Sequence, residues 1–123
     1  QDLVGWLREQ PYRLEEVVDG RRVLMTHGSP WEPWKDYHYP HETVWARAAS
    51  LDCDTLIVGH THYKMAQRFG GVLVINPGSA GDPRDHRNEF QASCAVWDTT
   101  ADEVIFYDYQ DPTRNFVSHS GKL

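Results

Sequence analysis

The sequence predicts a mixed α/β domain. Two observations carry this prediction: two continuously apolar strands flank a helical pattern, and further extended runs are joined by short glycine-containing turns. Strand–helix–strand units followed by hairpins are typical of a mixed sheet with antiparallel edges. The chain has 123 residues, which fits one domain large enough to bury a core.

In the first half of the chain, the predicted elements alternate between helix and strand. Leu3, Trp6 and Leu7 fall on one face of a helix that Pro11 ends. An Asp-Gly pair between two extended runs is typical of a hairpin turn, and the second run is continuously apolar, which indicates a strand buried on both faces. The predicted elements are a helix at 2–10, strands at 12–18 and 21–26, an irregular stretch from 31 to about 40, and a helix at 41–51.

The second half predicts strands and turns. A Gly-Gly pair joins two of the strands, and a Thr-Thr-Ala-Asp turn joins the last two. The predicted strands lie at 56–58, 64–69, 72–75, 91–98 and 103–109, with a turn-rich segment at 80–88. Because the sequence is polar from Gln110 onward, we divide it into a domain at 1–109 and a polar tail at 110–123.

Composition excludes several classes of function. The net charge of −6 does not supply the basic footprint that nucleic acid needs. No apolar run approaches the ~20 residues that cross a bilayer, so we expect no membrane association. Cys53 and Cys94 form no CxxC pair; we therefore expect core cysteines, neither a disulfide framework nor a thiolate zinc site, and a cytoplasmic location.

Three of the seven histidines occupy places that suit metal ligands. His27 follows one apolar strand, and the pair His60 and His62 follows the next, each beside a glycine. Parallel strands would bring all three to one edge of the sheet, where α/β proteins bind ligands. If residues 60–62 are extended, the two paired imidazoles point the same way. His38 and His41 are weaker candidates, and His86 and His119 lie in polar surroundings.

Other candidate residues have two interpretations each. Arg84 is either a phosphate contact or a surface arginine among aspartates, and Asn76 either touches substrate or shapes its turn. The aromatic residues between 31 and 45 either stack a nucleobase or pack on the domain; we favour packing. These aromatic residues are Trp31, Trp34, Tyr37, Tyr39 and Trp45.

Three segments carry a family resemblance. Residues 24–30 read LMTHGSP, residues 54–62 read DTLIVGHTH, and residues 74–84 read VINPGSAGDPR. Their order and spacing resemble the later motifs of the calcineurin-like metallophosphoesterases, in the small bacterial and archaeal phosphodiesterase branch. The resemblance covers most of residues 1–109.

The resemblance implies a fold and a chemistry. The fold is the carboxy-terminal half of a four-layer α/β/β/α sandwich with a mixed sheet and antiparallel hairpins. The activity is hydrolysis of a phosphate ester by a metal-bridging hydroxide, with nucleotides among the candidate substrates. Two divalent ions would serve as cofactors, and mixed histidine and carboxylate ligation suits Mn (manganese), Fe, Zn or Ni without the sequence choosing among them. By the resemblance, His27 and His60 ligate one ion and His62 the other.

The family's remaining ligand motifs do not occur in the sequence. It has no Asp-x-His or Gly-Asn-His in a suitable place, and its one Gly-Asp lies in the Asn-Pro-Gly-Ser loop. We identify no catalytic residue in this chain. We therefore expect the amino-terminal half of the same protein to complete the site, and this chain alone to be inactive. The alternatives are a non-catalytic metal-binding or protein-interaction module on the same fold, and an unrelated domain with a single structural zinc.

Overall fold

The computed structural model describes residues 2–110, so the predicted polar tail from residue 111 onward lies outside the described residues. The described part forms a five-stranded mixed sheet and a two-stranded antiparallel sheet. The elements are helix α1 (Leu3–Arg8), strands β1 (Arg13–Val18), β2 (Arg21–Thr26), β3 (Thr55–Ile57), β4 (Met65–Phe69), β5 (Val72–Asn76), β6 (Ala92–Asp98) and β7 (Glu103–Tyr109), and 3₁₀ helices at Thr43–Ser50 and His86–Asn88.

The larger sheet has the order β1-β2-β3-β5-β4. Strand β3 pairs in parallel with β2 on one side and with β5 on the other, while β1 and β4 are antiparallel edge strands. The predicted strands are confirmed, with ends shifted by a few residues. The parallel pairing expected for the strand–helix–strand unit is also confirmed, and it places the carboxyl ends of β2, β3 and β5 at the same edge.

The second predicted helix is shorter and tighter than expected. It is a 3₁₀ helix at Thr43–Ser50, and it begins without a side-chain cap. The side chain of the preceding residue, Glu42, does not cap the helix. Its carboxylate instead accepts a hydrogen bond from the backbone N–H of Tyr39 and lies 3.0 Å from Nδ1 of His38. The helix buries Trp45 and Ala48 in the main core of the domain. The other fully buried core residues include Leu24, Leu56 and Val74.

Two expectations about burial are wrong. Cys94 is exposed, whereas Cys53 is in the core as predicted. The apolar run of β2 is not buried throughout, because Met25 is 42% exposed while Val23 and Leu24 are buried. The apolar face of α1 is likewise open, and this helix buries no residue. Among residues 2–110, no helix is both long enough and apolar enough to cross a bilayer.

Polar contacts join the smaller sheet to the larger one. Asp102, in the β6–β7 turn, forms ion pairs with Arg21 on β2 and with Arg68 on the edge strand β4 of the larger sheet. On β7, Asp108 accepts from the ammonium group of Lys64, with an Nζ–Oδ2 distance of 2.6 Å. The backbone N–H of Ser93 donates to the carbonyl of Ser79. These contacts hold β6 and β7 beside the loop that follows β5.

Asp85 is a buried anchor in that loop. It is 1% exposed, and its carboxylate accepts from the Arg87 side chain at 2.6 Å and from the backbone N–H of Lys64 at 3.1 Å. Burial alone would raise the pKa of this carboxyl, but the hydrogen bonds and charge of Arg87 outweigh it, so the pKa lies below its ordinary value. The charged form therefore stabilises the fold.

We expect the Asp85→Asn substitution to destabilise the protein in a pH-dependent way. A carboxyl whose pKa is lowered by folding contributes stability above its ordinary pKa of about 4, and this contribution is lost as the pH falls through the folded value. The variant should lose about 1–3 kcal/mol of unfolding free energy at pH 7. Urea titrations at pH 7, 5 and 3 should show this difference shrinking toward acid. A difference that stays constant with pH would contradict the assignment.

Candidate functional site

Two of the predicted ligands meet at the edge of the sheet. His27 follows β2 and His60 follows β3, and the parallel pairing of these strands brings their side chains together. Nε2 of His27 lies 2.9 Å from Nδ1 of His60, within hydrogen-bonding distance. The backbone supports this contact, because the N–H of Gly59 donates to the carbonyl of His27 at 2.8 Å. The site predicted at the carboxyl ends of the strands therefore contains at least these two imidazoles.

The conformation predicted for residues 60–62 is wrong. Strand β3 ends at Ile57, and both His60 and His62 have left-handed backbone φ values of 66° and 62°. The alternation of side chains along an extended strand therefore does not apply here. The N–H of Thr61 donates to the carbonyl of Gly59 at 2.8 Å, which closes a tight turn. Left-handed φ at a non-glycine residue is uncommon and marks a constrained turn.

The surroundings of His60 suit a metal ligand. Its Nε2 atom is buried and has no hydrogen-bond partner. Burial lowers the pKa of His60, and the charges of His27 and His62 lower it further, so the imidazole is favoured in the neutral form. A neutral imidazole with a free nitrogen is the form that coordinates a divalent ion. The residue therefore fits the group that the resemblance implies.

His62 lies against a different partner. Its Nδ1 lies 2.6 Å from the backbone carbonyl of Asp82 and 3.4 Å from the Asp82 carboxylate. Such second contacts fix the ring orientation and leave the other nitrogen available for a ligand. The same carboxylate accepts two hydrogen bonds from Arg84, at 2.8 and 3.0 Å. Arg84 thus lies on the exposed side of the loop that holds His62.

Asn76 joins the loops that follow β3 and β5. It is 3% exposed, and its amide nitrogen donates to the carbonyl of Gly59 at 2.9 Å and to the hydroxyl of Thr61 at 3.2 Å. Its side-chain oxygen accepts from the N–H of Gly78. Gly78 itself has a φ of +84°, and a Cβ there would lie 2.0 Å from Oγ of Ser93. The structure thus gives Asn76 the turn-shaping contacts of the second interpretation.

The described residues do not assemble a complete metal site. Across residues 2–110, no group of three or more His, Cys, Asp or Glu side chains is arranged to hold a metal ion. His27 and His60 contact each other, while His62 contacts Asp82. The arrangement offers imidazole ligands without the carboxylate that would bridge two ions.

The structure divides the aromatic stretch into two groups. Trp31 and Trp45 lie against each other, with ring centroids 6.0 Å apart, and Trp45 is buried. Trp34 and Tyr37 are exposed and lie on the two site histidines. Tyr39 is half-buried and packs against Tyr63, with ring centroids 5.0 Å apart. Packing is therefore confirmed for Trp31, Tyr39 and Trp45 only.

The sequence analysis missed a polar network in the same loop. Ser29 donates to Asp36 at 2.5 Å, and His38 lies between Asp36 at 3.1 Å and Glu42 at 3.0 Å. These two contacts account for the position of the His38 ring without a metal ion. The available signal was the pair of acidic residues, Asp36 and Glu42, on either side of His38 in the sequence.

Comparison with known proteins identifies relatives that are longer than this chain. The profile of the calcineurin-like phosphoesterase superfamily domain matches residues 2–102. A probable metallophosphoesterase of Bacillus subtilis is 35% identical over 95 residues, covering 75% of this chain and 52% of the relative. The chain thus spans about half the length of the curated relatives it matches.

Two solved structures have a similar fold. A metallophosphoesterase from Sphaerobacter thermophilus superposes with a TM-score of 0.71 at 26% identity, covering 87% of this chain and 50% of that one. Vps29 from Entamoeba histolytica, solved in complex with zinc, superposes with a TM-score of 0.53 at 26% identity, covering 79% of this chain and 52% of that one. These matches confirm the mixed α/β fold.

We expect Asn76→Ala to disturb the site histidines. Removing the amide leaves the Gly59 carbonyl without its donor and should cost about 1–3 kcal/mol of unfolding free energy. Imidazole cross-peaks of His60 and His62 in NMR spectra should shift or broaden. Asn88→Ala is the matched control, because that amide donates to Gln91 and Asp108 outside the histidine turn. Equal changes of the imidazole signals in both variants would contradict the role of Asn76.

Proposed function

The chain belongs to the calcineurin-like phosphoesterase superfamily, and we propose that it contributes metal ligands to a site that hydrolyses a phosphate ester. Proteins of this superfamily generally depend on divalent metal ions, and the matched relatives are named probable metallophosphoesterases. The observation that carries the proposal is the meeting of His27 with His60, whose Nε2 is buried without a partner.

We assign the ligands as the family resemblance implies. His27 and His60 would hold one ion and His62 the other, in a dinuclear site completed by carboxylate and further nitrogen ligands. We propose that these come from an additional amino-terminal part of the same protein, since the chain spans about half of its relatives. Residues 1–109 would then form the carboxy-terminal part of a four-layer sandwich. Without the remaining ligands, this chain alone would turn over little substrate.

The chain's own residues would bind and orient the reacting groups. When bound, divalent ions would lower the pKa of water, so that hydroxide is available near neutral pH to attack phosphorus, and would stabilise negative charge on the ester. Asp82 fixes the ring of His62, and Asn76 fixes the turn that carries both His60 and His62. Arg84 is exposed beside them, and its fork of donors suits a phosphate oxygen if it releases Asp82.

A non-catalytic metal-binding or protein-interaction module is the second candidate. The zinc complex of Vps29 indicates that a protein of similar fold binds a divalent ion. Against a module that only binds other proteins, the buried Nε2 of His60 beside His27 has the features of a metal ligand. We also propose a cytoplasmic location, because both cysteines are free.

We expect the full-length protein to hydrolyse bis-p-nitrophenyl phosphate when Mn²⁺ is added. The His60→Ala variant should lose at least about tenfold in both Mn²⁺ affinity and turnover, because even the loss of an outer-shell partner costs that much. Calorimetric titration with Mn²⁺ and a chromogenic assay measure the two quantities. His41→Ala is the control, since that exposed histidine contacts only Tyr39 among the aromatic rings of residues 2–110.

Three outcomes separate the candidates. Loss of both properties in His60→Ala, with His41→Ala unchanged, supports the phosphoesterase. Metal binding by the full-length protein without any hydrolysis would favour the non-catalytic module. Hydrolysis that survives in His60→Ala would contradict the assigned ligand.

A further inference from the structure

The two histidines that meet at the edge of the sheet differ in their access to solvent. His27 is exposed, whereas His60 is half-buried. The Nε2 atom of His60 has almost no exposed surface and no hydrogen-bond partner, although a buried polar atom of this kind is rare and needs an explanation. Binding of an ion to this nitrogen therefore requires a neighbouring group to move first.

The ring of Tyr37 lies directly on His60. The two ring centroids are 3.8 Å apart, and the planes are tilted by 39°. Because this separation matches the contact distance of carbon atoms, roughly 3.5–4.0 Å, the rings leave no space between them for a water molecule. Tyr37 is nevertheless 49% exposed. It therefore lies between the imidazole and the solvent.

The backbone before Tyr37 is anchored to a buried residue. Ser29 is 1% exposed, and its hydroxyl donates to the carboxylate of Asp36, the residue next to Tyr37. The same hydroxyl accepts from the backbone N–H groups of Trp31 and Glu32, at 3.1 and 3.0 Å. These contacts fix the path of the loop on the side of β2.

The residue after Tyr37 is anchored as well. The two ring nitrogens of His38 lie 3.1 and 3.0 Å from the carboxylates of Asp36 and Glu42. Burial alone would raise the pKa of Glu42, but hydrogen bonds from the backbone of Tyr39 and from His38 outweigh it and hold the pKa below its ordinary value. Both neighbours of Tyr37 are thus held in place, and its own side chain is left to rotate.

We propose that Tyr37 is a gate over His60, which sets how fast a divalent ion enters and leaves the candidate metal site. The inference rests on the proposed function, because that function assigns His60 as a ligand. The gate opens when the side chain rotates away from the imidazole while the anchored backbone stays in place. Exposed side chains rotate within nanoseconds, so the open fraction sets the rate. The attraction within an aromatic pair corresponds to about two- to tenfold in that fraction.

The gate should act on entry and release alike. The lone pairs of an imidazole lie in the plane of its ring, whereas Tyr37 is tilted over the face of His60. The tyrosine ring can therefore close over the histidine with or without an ion. A group that favours neither state leaves the dissociation constant unchanged. This separates a gate from a residue that only stabilises the bound ion, which would slow release alone.

Rapid-mixing kinetics with zinc test the gate. Mixing the full-length protein with Zn²⁺ measures entry, and mixing the zinc-loaded protein with excess EDTA measures release. Tyr37→Ala should accelerate both about two- to tenfold and change the dissociation constant by less than about twofold. Tyr37→Phe keeps the ring and should match the intact protein. Tyr107→Ala, which truncates an exposed tyrosine on β7, is the matched control.

A second measurement tests the gate without a metal ion. Diethyl pyrocarbonate acylates accessible neutral imidazoles, and peptide mass spectrometry gives the rate for each histidine. In the metal-free full-length protein, His60 should react more slowly than His41, which is exposed. Tyr37→Ala should accelerate the acylation of His60 about two- to tenfold and leave that of His41 unchanged.

Each outcome decides the inference. Faster zinc entry and release with faster acylation in Tyr37→Ala, and no change in Tyr37→Phe or Tyr107→Ala, support the gate. Unchanged zinc entry in Tyr37→Ala, or faster release alone, overturns it. If the full-length protein binds no zinc, the proposed function fails and the acylation rates alone decide the gate. Zinc binding and ester hydrolysis with rates that do not respond to Tyr37→Ala would keep the proposed function and reject the gate.

Discussion

The parallel pairing of β2, β3 and β5 is the constraint on which the rest of the structure depends. Its register places Met25 beside Ile57 and Ile57 beside Ile75. The residues that follow these strands therefore emerge at one edge of the sheet. His27, His60 and Asn76 meet there although up to 49 positions separate them in the sequence (76 minus 27). A shift of one residue would turn these side chains to the opposite faces.

Hydrogen bonds at that edge stabilise an unfavourable backbone. Left-handed φ values at His60 and His62 cost about 1 kcal/mol each for non-glycine residues. The amide of Asn76 offsets part of this cost by holding the Gly59 carbonyl and the Thr61 hydroxyl. Strained residues of this kind cluster at functional sites. The turn thus connects the stability of the sheet with the position of the imidazoles that we assign to metal binding.

The sequence predicts the strands well because their signals are local. Apolar runs and the Asp19-Gly20 and Gly70-Gly71 pairs mark strands and turns without reference to the rest of the chain. The contact between His27 and His60 can also be predicted from the sequence, because a helical segment between two strands implies that the strands pair in parallel. The backbone conformation of His60 cannot be predicted from local sequence, since it depends on Asn76, 16 positions later in the chain (76 minus 60). For the same reason, the exposure of Cys94 and of Tyr37 depends on packing that periodicity does not describe.

The central claim is that the edge formed by β2 and β3 binds a metal ion through His27 and His60. Crystals of the full-length protein grown with zinc, measured at the zinc absorption edge, test it most directly. The account predicts an anomalous peak about 2.0–2.1 Å from a nitrogen of each imidazole. A fully occupied zinc ion elsewhere in the protein, with the two histidines still in direct contact and no peak beside them, would contradict it.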